Sequence, residues 1–194
     1  ELAHYSDATY DIEYDFPSMG FSELQGVASR TDFDLKAHME HSKQDMSYFD
    51  PVENTKYIPY VIEPSIGLTR LFLATMSDAY TEVVDDSGNT RIVMKFRPEV
   101  APIKIAVLPI VKKLREQGEV IFDLLSPYFM CEYDEVGSIG KRYARMDEIG
   151  TPWCIAVDSS NFDEGNVTIR HRDSGEQETI AIIDLVAYFQ DQLS

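Results

Sequence analysis

The sequence predicts an α/β protein in two parts, α+β when taken as a whole, and three observations carry that reading. The chain opens on two partly alternating apolar stretches separated by a Pro-Gly turn, which reads as antiparallel structure. After residue 97, short apolar runs alternate with amphipathic helical stretches, the pattern of a layered sheet carrying helices. With 194 residues and 44% hydrophobic content, the chain can bury a core.

The elements follow in order. Tyr10, Ile12, Tyr14 and Phe16 alternate within Ala8–Phe16, a strand; Pro17-Ser18-Met19-Gly20 turns it into a second strand, Phe21–Ala28. Thr31 to Asp34 can cap a helix running to about His41. Residues 43–56 are polar and interrupted by proline, hence loop. A strand is expected over Tyr57–Glu63, a turn at Pro64-Ser65-Ile66-Gly67, and an apolar helix over Leu68–Tyr80. Asp85 to Asn89 is a turn signal, and Arg91–Phe96 a short strand. Beyond it come a buried strand at Lys104–Leu108, a helix at Pro109–Leu125 and a strand at Tyr128–Glu132. A helix at Ile139–Ile149 and strands at Trp153–Val157 and Val167–His171 follow. A final amphipathic helix spans Ile182–Leu193. The second part therefore holds a mixed sheet of about five strands, and the boundary between parts falls near Arg97 to Pro102, giving domains 1–97 and 98–194.

The net charge of −17 excludes a generic nucleic-acid binder, since phosphate contacts call for clustered Lys and Arg. Splitting after Arg97 gives 8 basic and 17 acidic residues before it and 9 and 17 after, so neither part is basic overall. The second part does concentrate positive charge, in Lys141-Arg142-Tyr143-Ala144-Arg145 and Arg170-His171-Arg172, and a local patch on an acidic body can steer a particular RNA. Two cysteines, Cys131 and Cys154, allow one bridge at most, which points to a reducing cytosol, and no apolar run approaches the roughly 20 residues of a membrane span. Opening on Glu1, with no leader-like stretch behind it, the chain is expected to be a piece of a longer protein.

Two segments carry chemistry. In Glu23-Leu24-Gln25-Gly26-Val27-Ala28-Ser29-Arg30, a strand carboxylate is followed by a glycine that a ligand or backbone could approach, which suits a metal or phosphate site. A solvated edge-strand Glu is the plainer alternative, and spacing alone favours it. In Glu63-Pro64-Ser65-Ile66-Gly67-Leu68-Thr69-Arg70, an acidic residue ends a strand and an Arg sits in the first turn of a helix. Helix N-termini attract anions, and Arg adds a bidentate fork for phosphate oxygens. A structural Glu–Arg pair fits the same spacing equally well. Together the segments offer carboxylates for a cation and an Arg for an anion, a combination that would fit a zwitterionic amino acid and ATP.

Glu23 to Leu35 resembles the ELxGIAxRxDxDL segment of eukaryotic-like, homodimeric glycyl-tRNA synthetases, and Glu63 to Arg70 resembles their version of class II motif 3. Ala101 to Pro109, Gly140 to Tyr143, Asp147 to Pro152 and Val167 to Arg170 resemble successive blocks of the same family's anticodon-binding domain. The resemblance covers nearly the whole chain. It implies the C-terminal part of a class II catalytic domain, built on an antiparallel sheet, followed by an α/β anticodon-binding domain.

The site residues it implies are these. Glu23 and Arg70 are catalytic, with Glu23, Leu24, Gly67, Leu68, Thr69 and Arg70 around ATP and Glu23 helping to hold Mg²⁺. Glu63 pairs with the ammonium of glycine, with Pro64, Ser65, Ile66 and Gly67 forming its pocket. Glycine has no side chain to read, so selectivity must come from satisfying the ammonium and leaving no room for a methyl group. The implied parent enzyme is a cytoplasmic homodimer that forms glycyl-adenylate and then glycyl-tRNA. Class II motifs 1 and 2 are absent from this chain, so the piece alone is expected to be inactive.

Lys141, Arg142 and Arg145 are the candidate contacts to tRNA(Gly), with a solvated helix face as the alternative. Tyr143 and Trp153 read as core before stacking platforms, although Tyr143 lies beside the basic cluster. His38 and His41 are spaced for a metal but lack a third ligand in view. A non-catalytic, synthetase-like accessory or nucleic-acid-binding protein is the competing class; retention of Glu23, Glu63, Ser65 and Arg70 favours the synthetase.

Overall fold

The computed structural model describes residues 2–84 and 88–194, and the chain folds as two compact units, Glu1–Ser77 and Asp78–Ser194. The first unit is built on strands β1 (Ala8–Phe16), β2 (Gly20–Ser29) and β5 (Ile62–Ile66), an antiparallel sheet in the order β1-β2-β5. The β1–β2 hairpin expected from alternation is present, closed by Met19 N–H donating to Phe16 O at 3.1 Å. It carries a bulge. Ile12 faces Gln25 but Glu13 faces Glu23, so Leu24 has no residue opposite it.

Helix α1 (Phe33–Ser42) follows, then α2 (Leu68–Ala79) after β5. The stretch read as loop over 43–56 instead contains a small hairpin, β3 (Tyr48–Asp50) and β4 (Thr55–Tyr57), whose first and last residues, Tyr48 and Tyr57, meet edge to face with ring centroids 5.8 Å apart. The strand expected over 57–63 begins only at Ile62, and the expected turn at 64–67 is strand as far as Ile66. Pro64 is tolerated because β5 is an edge strand of its sheet. This unit leaves much apolar surface open: Leu68 is 78% and Phe72 66% exposed on α2, and Tyr10 and Phe21 are exposed on the hairpin.

The second unit opens with a hairpin, β6 (Tyr80–Val84) and β7 (Thr90–Met94), of which only β7 was expected. Most of the turn expected at 85–89 lies outside the described residues. The main sheet uses β8 (Ile105–Pro109), β9 (Cys131–Tyr133), β10 (Trp153–Val157), β11 (Asn166–His171) and β12 (Gln177–Ala181), in the order β12-β11-β10-β8-β9. It is the mixed five-stranded sheet expected. β8 runs parallel to β9 and β10, while β11 is antiparallel to β10 and to β12.

Helices α3 (Arg115–Leu125) and α6 (Leu185–Gln192) bury Ile121, Leu125, Leu185 and Phe189 against Ile105, Val107, Trp153, Ile155 and Val157 on one face. Helix α4 (Ile139–Ile149) covers the other face, where Met146 joins Ala106, Leu108 and Cys154. Covered on both faces, β8 and β10 are buried along their whole lengths, which is why they read as unbroken apolar runs. Helices α3 and α6 each begin later than expected, after a 3-10 turn at Lys112–Leu114 and at Ile182–Asp184. Strand β9 lies slightly later than the expected 128–132. A short helix, α5 (Ser159–Asp163), was not anticipated from the sequence.

The β6–β7 hairpin lies on the N-terminal side of the boundary expected at 97/98 and packs with the C-terminal unit, where Ala79, Met94, Phe96 and Ala101 share a small core. The left-handed cap of α4, Gly150 at φ 82°, fits under that core: a Cβ there would lie 2.9 Å from Met94 O and closer still to the Phe96 ring.

Candidate functional site

In the first unit, register gathers the two chemistry-bearing segments on one face of the sheet. Residues directly opposite one another in a ladder share a face, so Asp11, Gly26 and Ser65 form one row, and Thr9, Ala28 and Glu63 the next. The bulge at Leu24 brings Glu23 round to the same face. Its Oε1 lies 3.3 Å from where a Gly26 Cβ would stand, and Asp11 Oδ1 lies 3.6 Å from that point. Two small residues thus form a floor walled by carboxylates on three strands and by the Ser65 hydroxyl.

Arg70, two residues into α2, reaches back so that its Nη1 donates to the backbone carbonyl of Glu23. The helix start and the Glu23 strand are thereby tied together, with Gly67, Leu68 and Thr69 lying exposed between β5 and that arginine. Glu63 meets an arginine just past the end of the neighbouring strand. Its Oε2 accepts from Arg30 Nη1 at 2.8 Å, leaving Oε1 without a protein donor among the described residues. The same guanidinium grips Asp34 twice, at 2.5 and 2.9 Å, and lies 4.0 Å from the centroid of the Tyr5 ring. Its hydrogen bonds hold the Asp34 carboxyl below the usual carboxylate range. Arg30 was not singled out from the sequence. The available signal was its place in the same segment as Glu23, on the alternation of Gly26 and Ala28.

In the second unit the basic residues separate sharply. Lys141 is exposed on α4. Arg142 is 2% exposed and lies inside the domain, not on its surface. Its Nη1 donates to Pro109 O at 2.6 Å and Asp134 O at 3.2 Å, and its Nη2 to Ile110 O at 3.2 Å. Arg145 is exposed, but its guanidinium is engaged with Asp134 and with Val136 O at 2.6 Å. The groove beside it, about 590 Å³ between β9 and α4, is walled by Glu132, Asp134 and Glu148, which disfavours phosphate there.

The second basic run is structural as well. Arg170 pairs with the buried Asp147, His171 lies 2.6 Å from Glu178, and Arg172 donates to Gly150 O and Phe96 O. Tyr143 packs beside Ala106, Leu108 and Met146 with the Arg170 guanidinium 4.8 Å from its ring centroid, and Trp153 is in the core. Lys112 and Lys113 follow β8, and Lys141 lies in the first turn of α4 after β9; all three are exposed, as are Ile110, Val111 and Val136 in the same connections.

Both cysteines are free thiols. Burial pushes Cys131 up to about 11 and Cys154 up to about 12, so neither supplies a thiolate nucleophile near neutral pH. Among the described residues no three His, Cys, Asp or Glu side chains gather as a metal site, His38 and His41 included. No helix among them is long and apolar enough to cross a membrane.

Comparison with known proteins matches residues 104–192 to the family described as "Anticodon binding domain". Over nearly its whole length the chain is similar to proteins named "Glycine--tRNA ligase". The one from Ruminiclostridium cellulolyticum is 55% identical over 192 residues, covering 99% of this chain and 41% of that protein. Its counterpart from Alkaliphilus oremlandii is 55% identical over 193 residues, 100% of this chain and 42% of that protein. That of Geobacillus thermodenitrificans is 53% identical over 194 residues, with 100% and 41% covered. The chain thus spans about two fifths of the length of these relatives.

Proposed function

We propose that the chain, similar over nearly its whole length to proteins named "Glycine--tRNA ligase", is the part of such an enzyme that completes the catalytic site and carries the anticodon-binding domain. Residues 1–97 are the C-terminal portion of the class II catalytic domain and 98–194 the anticodon-binding domain. The whole enzyme, a cytoplasmic homodimer, activates glycine with ATP and passes the glycyl group to tRNA(Gly). This part alone is inactive, because the remaining walls of the site lie outside it.

The observation that carries the catalytic reading is the cross-strand placement of Ser65 against Gly26 and of Glu63 against Ala28. A shallow floor of small residues facing a carboxylate and a hydroxyl suits a ligand with an ammonium and no side chain. Glu63 takes the ammonium on the oxygen that Arg30 leaves, and Pro64 to Gly67 line the pocket. Arg70 meets the ATP phosphates beside Leu68 and Thr69. Glu23, with Leu24 next to it, faces the nucleotide, and its carboxylate helps to hold Mg²⁺. When bound, Mg²⁺ would neutralise phosphate charge, and the protein's share is positioning and electrostatic stabilisation.

For RNA the supporting geometry is the rim at the carboxyl ends of β8 and β9. The connection from β8 runs through α3 on one face to β9, and that from β9 runs back through α4 on the other face to β10, so the carboxyl ends of these neighbouring strands form a switch point of the kind where α/β sheets receive ligands. Exposed Ile110, Val111 and Val136 offer apolar contact to unpaired bases, and Lys112, Lys113 and Lys141 take phosphates. Arg145, tied to Asp134 and Val136 O, and the buried Arg142 do not take phosphates.

Glycine-dependent ATP–pyrophosphate exchange tests the catalytic reading in the complete enzyme. Exchange should depend on Glu63 and Arg70 and be missing from residues 1–194 alone. Full exchange by the isolated chain, or indifference to both substitutions, refutes it.

A further inference from the structure

Arg142 is a buried cation with no carboxylate partner among its hydrogen bonds. Burying a charge in that way is unfavourable, and an aliphatic side chain would fill the same slot with less desolvation. Its Nε is itself buried and unpartnered, so hydrogen bonding is not maximised at every atom. What distinguishes an arginine here is the rigid fork. It spans three carbonyls on two neighbouring strand ends: Pro109 and Ile110 where β8 leaves the sheet, and Asp134 just past β9. The β8–β9 ladder ends at this point, with Asp134 N–H donating to Val107 O at 3.2 Å. Beyond it, no backbone hydrogen bond among the described residues ties one strand end to the other.

The loop after β9 is held from its outer side too. Arg115 Nε donates to Glu135 at 3.0 Å, and Arg145 donates to Asp134 and to Val136 O. Three arginines from two helices therefore converge on residues 134–136. An ordinary surface turn needs no such restraint.

We propose that Arg142 is a positioning residue for RNA recognition: its buried fork sets the spacing of loops 109–114 and 134–138, and so of the apolar and lysine side chains they present. The inference rests on the reading of that rim as the tRNA surface. Arg142 acts only through the loops. It preorganises them, which raises affinity by removing the ordering that binding would otherwise require.

The test is tRNA(Gly) binding by the complete protein at several salt concentrations between about 50 and 200 mM, for R142K, R142M and the triple variant K112A/K113A/K141A. Hydrogen exchange of the two loops is followed in parallel. R142K keeps the charge and loses the planar fork; R142M suits the buried slot and guards against a folding failure. Both should weaken binding by roughly tenfold at every salt concentration with an unchanged salt slope. Amides in 110–114 and 134–138 should exchange faster while those of β10 and β11 hold. The lysine variant should instead flatten the slope by roughly one unit per lost contact.

Wild-type affinity in both Arg142 variants, alongside weaker binding by the lysine variant, overturns the proposal. So does a slope reduced by about one unit in R142M, which would mean direct phosphate contact. If the lysine variant binds like wild type, the rim reading fails, and the clamp is judged by exchange alone. Unchanged loop amides in R142M then refute it as well.

Discussion

Asp147 and Arg170 meet inside the C-terminal unit as a two-pronged ion pair, with Nη1 2.9 Å from Oδ1 and Nη2 3.1 Å from Oδ2. Asp147 is fully buried, and Arg91 Nη1 adds a third bond at 2.7 Å. One carboxylate on α4 therefore joins β11 of the main sheet to β7 of the preceding hairpin. Removing it would leave two guanidinium groups facing an uncompensated hole. Asp147→Ala is expected to destabilise the unit by about 3–5 kcal/mol, measured by urea denaturation. Arg91→Ala should be much milder, because that arginine is partly exposed.

Gly150 is restrained by both conformation and space. Its φ of 82° is left-handed, and a Cβ would press on Phe96. Gly150→Ala should lower stability by roughly 2–4 kcal/mol, combining left-handed strain with overpacking. A melting temperature within a degree of wild type would contradict this.

Asp158 caps α5 by accepting from Asn161 N–H at 2.9 Å, and that bond, with help from the Ser160 hydroxyl, keeps its carboxyl below the usual range. A folded pKa below the unfolded one adds stability that is complete above about pH 4 and fades as pH falls through the folded value. Asp158→Ala should therefore lose about 1 kcal/mol near neutral pH. The gap from wild type should close in denaturation curves taken below about pH 4.

The Arg30–Glu63 contact yields an enzymological prediction. Arg30→Gln releases one Glu63 oxygen and frees Asp34, so in the complete enzyme the carboxylate should wander. KM for glycine should rise several-fold, while KM for ATP changes little. Equal effects on both substrates would show that Arg30 supports the sheet and not the glycine carboxylate.

Arg70→Ala should lower adenylate formation by about a hundredfold or more, the scale expected when charge stabilisation is removed from a transition state. Pyrophosphate exchange at saturating glycine reads this directly. Near-normal exchange would remove Arg70 from phosphate binding.

Much of this was legible in the sequence because burial and alternation speak plainly. β8 and β10 are buried on both faces and appear as apolar runs, and the β1–β2 hairpin shows its turn and its period of two. Strands β3, β4 and β12 are short or polar and owe their state to a partner strand: Gln177–Ala181 is a strand because β11 lies beside it. No local pattern encodes that. The basic run on α4 misled for a different reason. Charge suggested a surface, yet Arg142 stands three residues after Ile139 and four before Met146, on the helix stripe that meets the sheet. Helical spacing carried the signal and residue type hid it. The hold on Glu63 lay beyond local reading, since Arg30 and Glu63 are 33 residues apart and meet only through the β2–β5 register.

The unpaired Leu24 acts as a parity change. In a regular strand Glu23 and Gly26, three positions apart, would point to opposite sides. The extra residue reverses the count, and a carboxylate that would have faced away joins Asp11 over the glycine. Sidedness here is thus stored as an odd or even number of residues and not in any side chain. Deleting Leu24 would therefore keep Glu23 on this side, two positions from Gly26 in an unbroken ladder, whereas pairing Leu24 by adding a residue to β1 between Ile12 and Glu13 would turn Glu23 to the other side of the sheet.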